Sequence, residues 1–486
     1  MSRFAADSVL SPVTGLTRRD LLRTVSAGFG YLAFAGLSTA AAGSPSSVSP
    51  SAGSPLAPKQ PHFTPSARRV IFLCMQGGPS HVDTFDYKPQ LAADAGKSAR
   101  YGGSRLMASP WEFRQHGQSG LWISDLFPEV AKHADDLCLV RSMYCDQPTH
   151  PRAMTQMHTG NAQFIRPSLG AWTLYGLGTE NDSMPGFIAL NPPAAAAQNY
   201  GRAFLPAVFQ GTRVGRPSGR RPGADRGRGP AGPEVPDIAN PRLVAPAQRQ
   251  QLDFIQELNQ QMLRREDRHP GVEGVIESYE LAFRMQDVLP ELMDLSQESE
   301  KTLSAYGIGD GADTDAFGRQ CLMARRFVES GVRFVELSSG GWDHHNGLRT
   351  QLPTRCGEVD KPIAGLLADL RQRGLLKDTL VIWGGEFGRS PDAPNGDGRD
   401  HNHKGYTIWM AGGGVKGGIS YGATDEHGYQ AAENRCHIHD WHATVLHLLG
   451  LDHQKLTYRY AGRDFRLTDV SGNVVREIIG AATAAG

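Results

Sequence analysis

The chain has 486 residues, of which 40% are hydrophobic and 21% charged, a balance that fits one large α/β domain or two smaller ones with a full core. Fifty basic and fifty acidic residues cancel, which argues against a nucleic-acid or anionic-membrane partner recruited by bulk charge. The six cysteines (Cys74, Cys138, Cys145, Cys321, Cys356 and Cys436) lack metal-knuckle spacing. Their even number permits disulfides in an exported chain, but a domain of this size is stable without them.

Thr17-Arg18-Arg19-Asp20-Leu21-Leu22-Arg23 resembles the twin-arginine export signal. A weakly apolar, Gly/Ala-rich run follows at 25–37, then small residues at 38–42 that suit cleavage. The run is too short and glycine-rich to span a bilayer. Residues 1–42 are therefore expected to be a signal read by the twin-arginine export machinery. The mature protein is then periplasmic or extracellular, with no stable membrane span. The Ser/Pro/Ala-rich residues 43–66 read as a disordered linker. Residues 67–486 read as a single domain, with a disordered Arg/Gly/Pro insertion at about 212–236.

Arg69 to Met75 is a compact apolar run closed by Gln76-Gly77-Gly78-Pro79, the pattern of a buried strand, and it delivers Ser80, His81 and Asp83. A second strand is expected at 136–141, followed by Thr149-His150-Pro151 and a helix that stops at Thr159-Gly160. A short strand is expected at 206–210, then helices at 246–266 and 272–306. Pro290 is expected to kink or split the latter. Leu252, Ile255, Leu258 and Met262 recur at helical spacing.

A helix at 316–330 precedes the apolar run that begins at Val332. That run enters Gly340-Gly341-Trp342-Asp343-His344-His345, and a further helix is expected at 357–373. Alternation of helix and strand with polar turns after the strands is the signature of a parallel α/β sheet. Thr379 to Trp383 reads as a strand ending at Gly384-Gly385-Glu386, and Tyr406 to Ala411 as another. The last helix is expected to begin at an Asp440 N-cap and stop at Gly450.

His81-x-Asp83, Asp343-x-His345 and His401-x-His403 share one geometry, because residues two apart in extended backbone point to the same side. Glu386 adds a carboxylate directly after a strand. Imidazole mixed with carboxylate suits zinc, manganese or iron better than calcium, which prefers oxygen alone. The expected ligand set is Asp83, His81, Asp343, His345, Glu386, His401 and His403 around one or two divalent ions, with zinc or manganese favoured. His344 replaces His345 if the turn is tight. Arg389 and Lys404 are expected to bind an anionic substrate.

Gly77 to Asp86, Gly341 to Asn346, Gly385 to Arg389, Gly398 to His401 and Ala443 to His453 together resemble one bacterial family. It is the domain-of-unknown-function family numbered fifteen-oh-one, placed in the alkaline phosphatase/sulfatase-like superfamily. The resemblance spans the mature chain apart from the Arg/Gly/Pro insertion. It implies an α/β three-layer sandwich with a central mostly parallel sheet, alkaline-phosphatase-like, with metal at the strand ends. The activity it implies is hydrolysis of a phosphate or sulfate ester of a small molecule or glycan. The residue it places at the nucleophile position is His150, with Thr149 beside it. Thr149, His150 and metal-activated water remain three alternatives. Cys145 lacks the neighbours that formylglycine formation requires. The alternative function is a catalytically degenerate envelope protein that binds or scaffolds anionic glycans.

Overall fold

The run Arg69–Met75 forms strand β1 and is buried from Val70 onward. Val, Ile, Phe and Leu on both faces leave nothing to solvate, the pattern of a central parallel strand. In the computed structural model, which describes residues 54–100, 103–193, 197–215, 243–265, 270–310 and 312–480, β1 lies in the middle of a nine-stranded sheet. The other strands are β2 (Leu137–Tyr144), β3 (Phe187–Leu190), β4 (Thr212–Val214), β5 (Phe334–Ser339), β6 (Thr379–Gly384), β7 (Tyr406–Ala411), β8 (Ile419–Tyr421) and β9 (Cys436–His437). Their order is β8-β2-β7-β6-β1-β5-β3-β4, with β9 also paired to β2.

Every pairing in this sheet is parallel except those of β7, which runs against both β2 and β6. The turns that follow β1, β2, β5 and β6 therefore open at one edge. The segment that leads into β7 starts from the same edge because β7 is reversed. This is the crevice beyond the carboxyl ends of strands where α/β proteins gather working groups.

The longer helices among the described residues are α1 (His150–Thr159), α2 (Leu169–Leu177), α3 (Ala245–Arg265), α4 (Pro270–Met293), α5 (Ala312–Glu329), α6 (Leu348–Gln372) and α7 (Ile438–Leu448). Phe72 of β1 meets His158 of α1 and Trp441 of α7 on one face of the sheet. On the other face Trp383 of β6 packs against Phe85, Phe127 and Trp342. There Asp360 of α6 accepts the backbone N–H groups of Glu129 and Val130, just beyond Phe127. α5 packs along α6. The expected three layers and mostly parallel sheet are what the chain forms. All six cysteines are buried and unbridged. No helix among the described residues is long and apolar enough to cross a membrane.

Several boundaries differ from the sequence expectation. Residues 206–210 hold a 3-10 turn, Ala207–Phe209, and the strand comes later, at Thr212–Val214. The first residues of the expected insertion are thus the edge strand of the sheet, while 216–242 lie outside the described residues. The expected linker is packed from residue 54 on. Leu56 is buried, the Lys59 N–H donates to Leu177 O at 2.9 Å, and the Ser66 N–H donates to Leu448 O at 2.9 Å. The segment satisfies carbonyls that the ends of α2 and α7 leave open, a role its Ser/Pro composition conceals. Residues 1–42, the expected signal, lie outside the described residues.

α4 runs through Pro290 and ends at Met293, so the expected split falls three residues after the proline. α6 starts nine residues earlier than expected, from a left-handed Gly347, and accommodates Pro353 and Pro362. α7 is capped by His437, with Asp440 one turn in, accepting the His437 N–H at 2.9 Å to close a capping box.

The turn after β1 depends on glycine. Gly77 has φ +116°, and a Cβ there would lie 2.6 Å from the backbone N of Asp343. Gly77→Ala is expected to lower stability by about 1–3 kcal/mol in urea unfolding, because two backbones must separate. Gly357→Ala, inside α6 with open space around it, is the control and should be neutral or stabilising.

Candidate metal centre

Beyond β5 the chain turns at Gly341, and Trp342 is buried, its backbone N–H donating to Gln76 O at 3.2 Å. That anchor turns Asp343 and His345 outward to the crevice and His344 inward, where it is buried. Beyond β2, Thr149 occupies the position before α1, whose first residue is His150. Before β7, His401–Asn402 pairs antiparallel with Gly388–Arg389, placing His401 opposite Arg389. Donor atoms of His150, Asp343, His345 and His401 all lie within 4.8 Å of one another.

The three imidazoles are oriented in the same way. His150 Nδ1 lies 2.5 Å from Glu386 Oε1, His401 Nδ1 lies 2.8 Å from Pro148 O, and His345 Nδ1 faces Asp400 Oδ1 at 3.6 Å. A proton on each Nδ1 leaves each Nε2 with its lone pair, and the Nε2 atoms are the ones that converge. They lie 3.2 Å (His150), 3.1 Å (His345) and 3.5 Å (His401) from Asp343 Oδ1. The His345 and His401 Nε2 atoms face each other at 2.9 Å, and His150 Nε2 is buried without a hydrogen bond. Converging lone pairs, each with a carboxylate or carbonyl on the far side of its ring, form a donor set that could hold a cation. Asp343 supplies the one carboxylate among them.

The electrostatics of the cluster follow from the same contacts. Burial pushes the Asp343 carboxyl up, but the Arg389 guanidinium and the His150 and His345 rings outweigh it and bring its pKa down to about 2. Burial depresses His401, and neighbouring His150 and Arg389 add to that despite its bond to Pro148. Burial also opposes charging of His150, yet Glu386 and Asp343 raise it overall.

The other expected ligands stand apart from this cluster. His81 and Asp83 are on a helical turn, His81–Thr84, where residues two apart diverge. Both Asp83 oxygens are held by Arg399, at 2.6 Å from Nε and 2.9 Å from Nη2, and Ser80 Oγ adds a bond at 2.5 Å. The pair is fully buried. His81 Nε2 bonds Gly428 O at 3.0 Å and its Nδ1 accepts the Arg389 N–H at 3.4 Å, so both ring nitrogens are committed. Glu386 reaches the site through His150, and its carboxylate also accepts the Gly77 N–H at 3.1 Å. His403 is one residue past the paired segment and outside the cluster. Burial and then the Lys404 charge lower its pKa.

Arg389 is fully buried and does not project into the crevice as an anion clamp. Its Nη2 binds Gly77 O and, at 2.5 Å, Asp343 Oδ1, while Nε binds Gly78 O at 2.9 Å and Nη1 binds Arg399 O at 3.2 Å. Lys404 is exposed beside His403. Thr149 is exposed, and its side chain makes no capping bond to α1. Sequence reasoning did not single out Arg399, Asp400 or the Pro148 carbonyl. Gly398-Arg399-Asp400-His401 stood among the family motifs, but only the fold shows Arg399 reaching back to Asp83.

Fold and cluster together define an α/β protein with a histidine–carboxylate site at the carboxyl edge of a mostly parallel sheet. The chain belongs to the family described as "Protein of unknown function (DUF1501)", matched over residues 67–479. No curated protein matches it. Among solved structures it is similar to the PsFucS1 sulfatase from Pseudoalteromonas sp., at 15% identity and a TM-score of 0.35, covering 79% of this chain and 68% of that one. It is similar also to the alkaline phosphatase from the Antarctic bacterium TAB5 (10% identity, TM-score 0.33, 80% of this chain and 99% of that one). A third similar structure is the lipoteichoic acid synthase LtaP from Listeria monocytogenes (8% identity, TM-score 0.33, 84% and 76%). Likeness at this level assigns no role to any residue here.

Breaking a buried ion pair leaves an uncompensated charge and costs about 3–5 kcal/mol. Asp83→Asn is therefore expected to lower unfolding free energy by that order in denaturant titrations. Metal content of the folded fraction, measured by mass spectrometry, should fall less than in Asp343→Ala, since Asp83 lies outside the cluster and acts on it only through the loop that carries His401.

Proposed function

We propose that this chain is an exported, metal-dependent hydrolase of phosphate or sulfate esters, with His150, Asp343, His345 and His401 as the ligands of a divalent ion. The observation that carries the reading is the convergence of three Nε2 atoms and one carboxylate oxygen within 4.8 Å at the crevice. Three imidazoles with one carboxylate suit zinc or manganese. When bound, such an ion supplies positive charge and Lewis acidity to an anionic ester.

The chain's own residues set the geometry around it. Glu386 holds the proton on His150 Nδ1, and Pro148 O holds the one on His401 Nδ1, so each ring keeps its orientation. Arg389 holds the same Asp343 oxygen that the imidazoles approach, with its Nη1 3.5 Å from His345 Nε2. The start of α1 presents the positive end of a ten-residue helix to the crevice, which favours an anionic group there. Thr149 offers an exposed hydroxyl at that helix start and is the chain's candidate nucleophile; His150, with Nδ1 engaged and Nε2 in the cluster, serves as a ligand. The twin-arginine motif at residues 17–23 supports a periplasmic or extracellular site of action. The alternative, a binding protein for anionic glycans, is favoured by the same histidine occupying the expected nucleophile position, and it implies metal without turnover.

The test is elemental analysis of the purified chain together with a screen of aryl phosphates, phosphodiesters and aryl sulfates after zinc or manganese is supplied. Asp343→Ala is expected to remove the ion and the activity. Glu386→Gln should weaken metal affinity about 10- to 100-fold, and Thr149→Ala should keep the ion and lose turnover. A metal-loaded protein inert on every ester selects the binding reading; a protein that takes up no ion at this cluster overturns both.

A further inference from the structure

A second group of donors lies deeper, on the face of the sheet that α1 covers. Cys74 of β1, Glu336 of β5 and His158 of α1 are all buried, and their donor atoms lie within 4.8 Å of one another. Phe72 pairs with Glu336 in register, so Cys74, two residues on, shares the face that carries the glutamate. His158 comes down onto that face from the far end of the helix that starts with His150.

Two features of this group, the Glu336 carboxylate and the neighbouring Asn199 amide, remain unexplained by packing. Glu336 is 1% exposed, with Oε1 at 3.0 Å from His158 Nε2 and Oε2 without any partner. His158 Nδ1 lies 2.9 Å from the Met154 carbonyl one turn back, so it donates there and turns Nε2 toward the glutamate. Beside them is a small cavity lined by Phe72, Met157, Phe334 and Asn199, and both ends of the buried Asn199 amide also lack partners. A half-satisfied carboxylate in this setting carries a desolvation cost that one histidine does not fully offset.

We propose that Cys74, His158 and Glu336 form a second, buried site for a divalent transition-metal ion, separate from the crevice cluster. One thiolate, one carboxylate and one neutral imidazole carry two negative charges, which a divalent ion neutralises within the core. The mixed sulfur, nitrogen and oxygen set is that of zinc-type sites. The imidazole follows the same rule as the crevice rings, with Nδ1–H on a carbonyl and Nε2 toward the ion. On binding, the Cys74 S–H bond breaks as the sulfur–metal bond forms and its proton passes to solvent; any proton on His158 Nε2 leaves in the same way.

The probe is Co2+ titrated into the chelator-stripped full chain. Wild type is expected to show sulfur-to-cobalt charge-transfer absorption in the near ultraviolet with release of protons. Asp343→Ala should retain the band, which separates this site from the crevice. Cys74→Ser should abolish it, and Glu336→Gln should weaken cobalt affinity at least tenfold. No band in wild type, or an unchanged band in Cys74→Ser, overturns the proposal and leaves a buried His158–Glu336 ion pair beside an inert thiol. If Cys74→Ser does not fold, the wild-type spectrum and its persistence in Asp343→Ala decide the matter.

Discussion

The crevice is tied together by one guanidinium. Arg389 is fully buried, yet its arms reach the carbonyls of Gly77 and Gly78 after β1, the carbonyl of Arg399 before β7, and the carboxylate of Asp343 after β5. Three turns that are distant in sequence are thereby held against the strand end that carries Glu386. Burial lowers the Arg389 pKa, and the Asp343, Glu386 and Asp400 carboxylates work against that shift. An arginine planted so deeply keeps its charge only because acceptors surround it. Its place in the structure is that of a frame, and the Asp343 oxygen it holds is the one on which the imidazoles converge.

A second buried arginine extends the same frame. Arg399 closes a two-toothed contact with Asp83 and also donates to Ser390 O and Met107 O. The helical turn after β1, the segment around residue 107 and the loop that delivers His401 are therefore tied together by one side chain. The acid directly after the first strand thus serves to anchor the loop that carries a histidine, in place of meeting an ion itself.

α1 links two levels of the molecule. Its first residue, His150, reaches the crevice, and His158, two turns further on, reaches the middle of β1 and β5. Both rings meet glutamates that are nearly inaccessible to solvent, Glu386 and Glu336. Regular helix geometry on one side and strand register on the other suffice to repeat the imidazole–carboxylate pairing at two depths.

Much of this was decided by the order of residues alone. Apolar runs closed by glycine located β1, β6 and β7, and the helix–strand alternation implied a mostly parallel sheet, because burial on both faces requires unbroken Val, Ile, Leu and Phe. Asp343-x-His345 could be read as one site because extended backbone places residues two apart on one side. The same rule failed at His81-x-Asp83, which winds into a helical turn, and at His403, which lies just past the short pairing with Gly388–Arg389. Whether Glu386 meets a cation or a histidine, and whether Arg389 faces solvent or three carbonyls, depends on contacts between segments hundreds of positions apart. Those contacts arise when strand order and the single reversed strand bring the turns to one edge, and no local pattern encodes them.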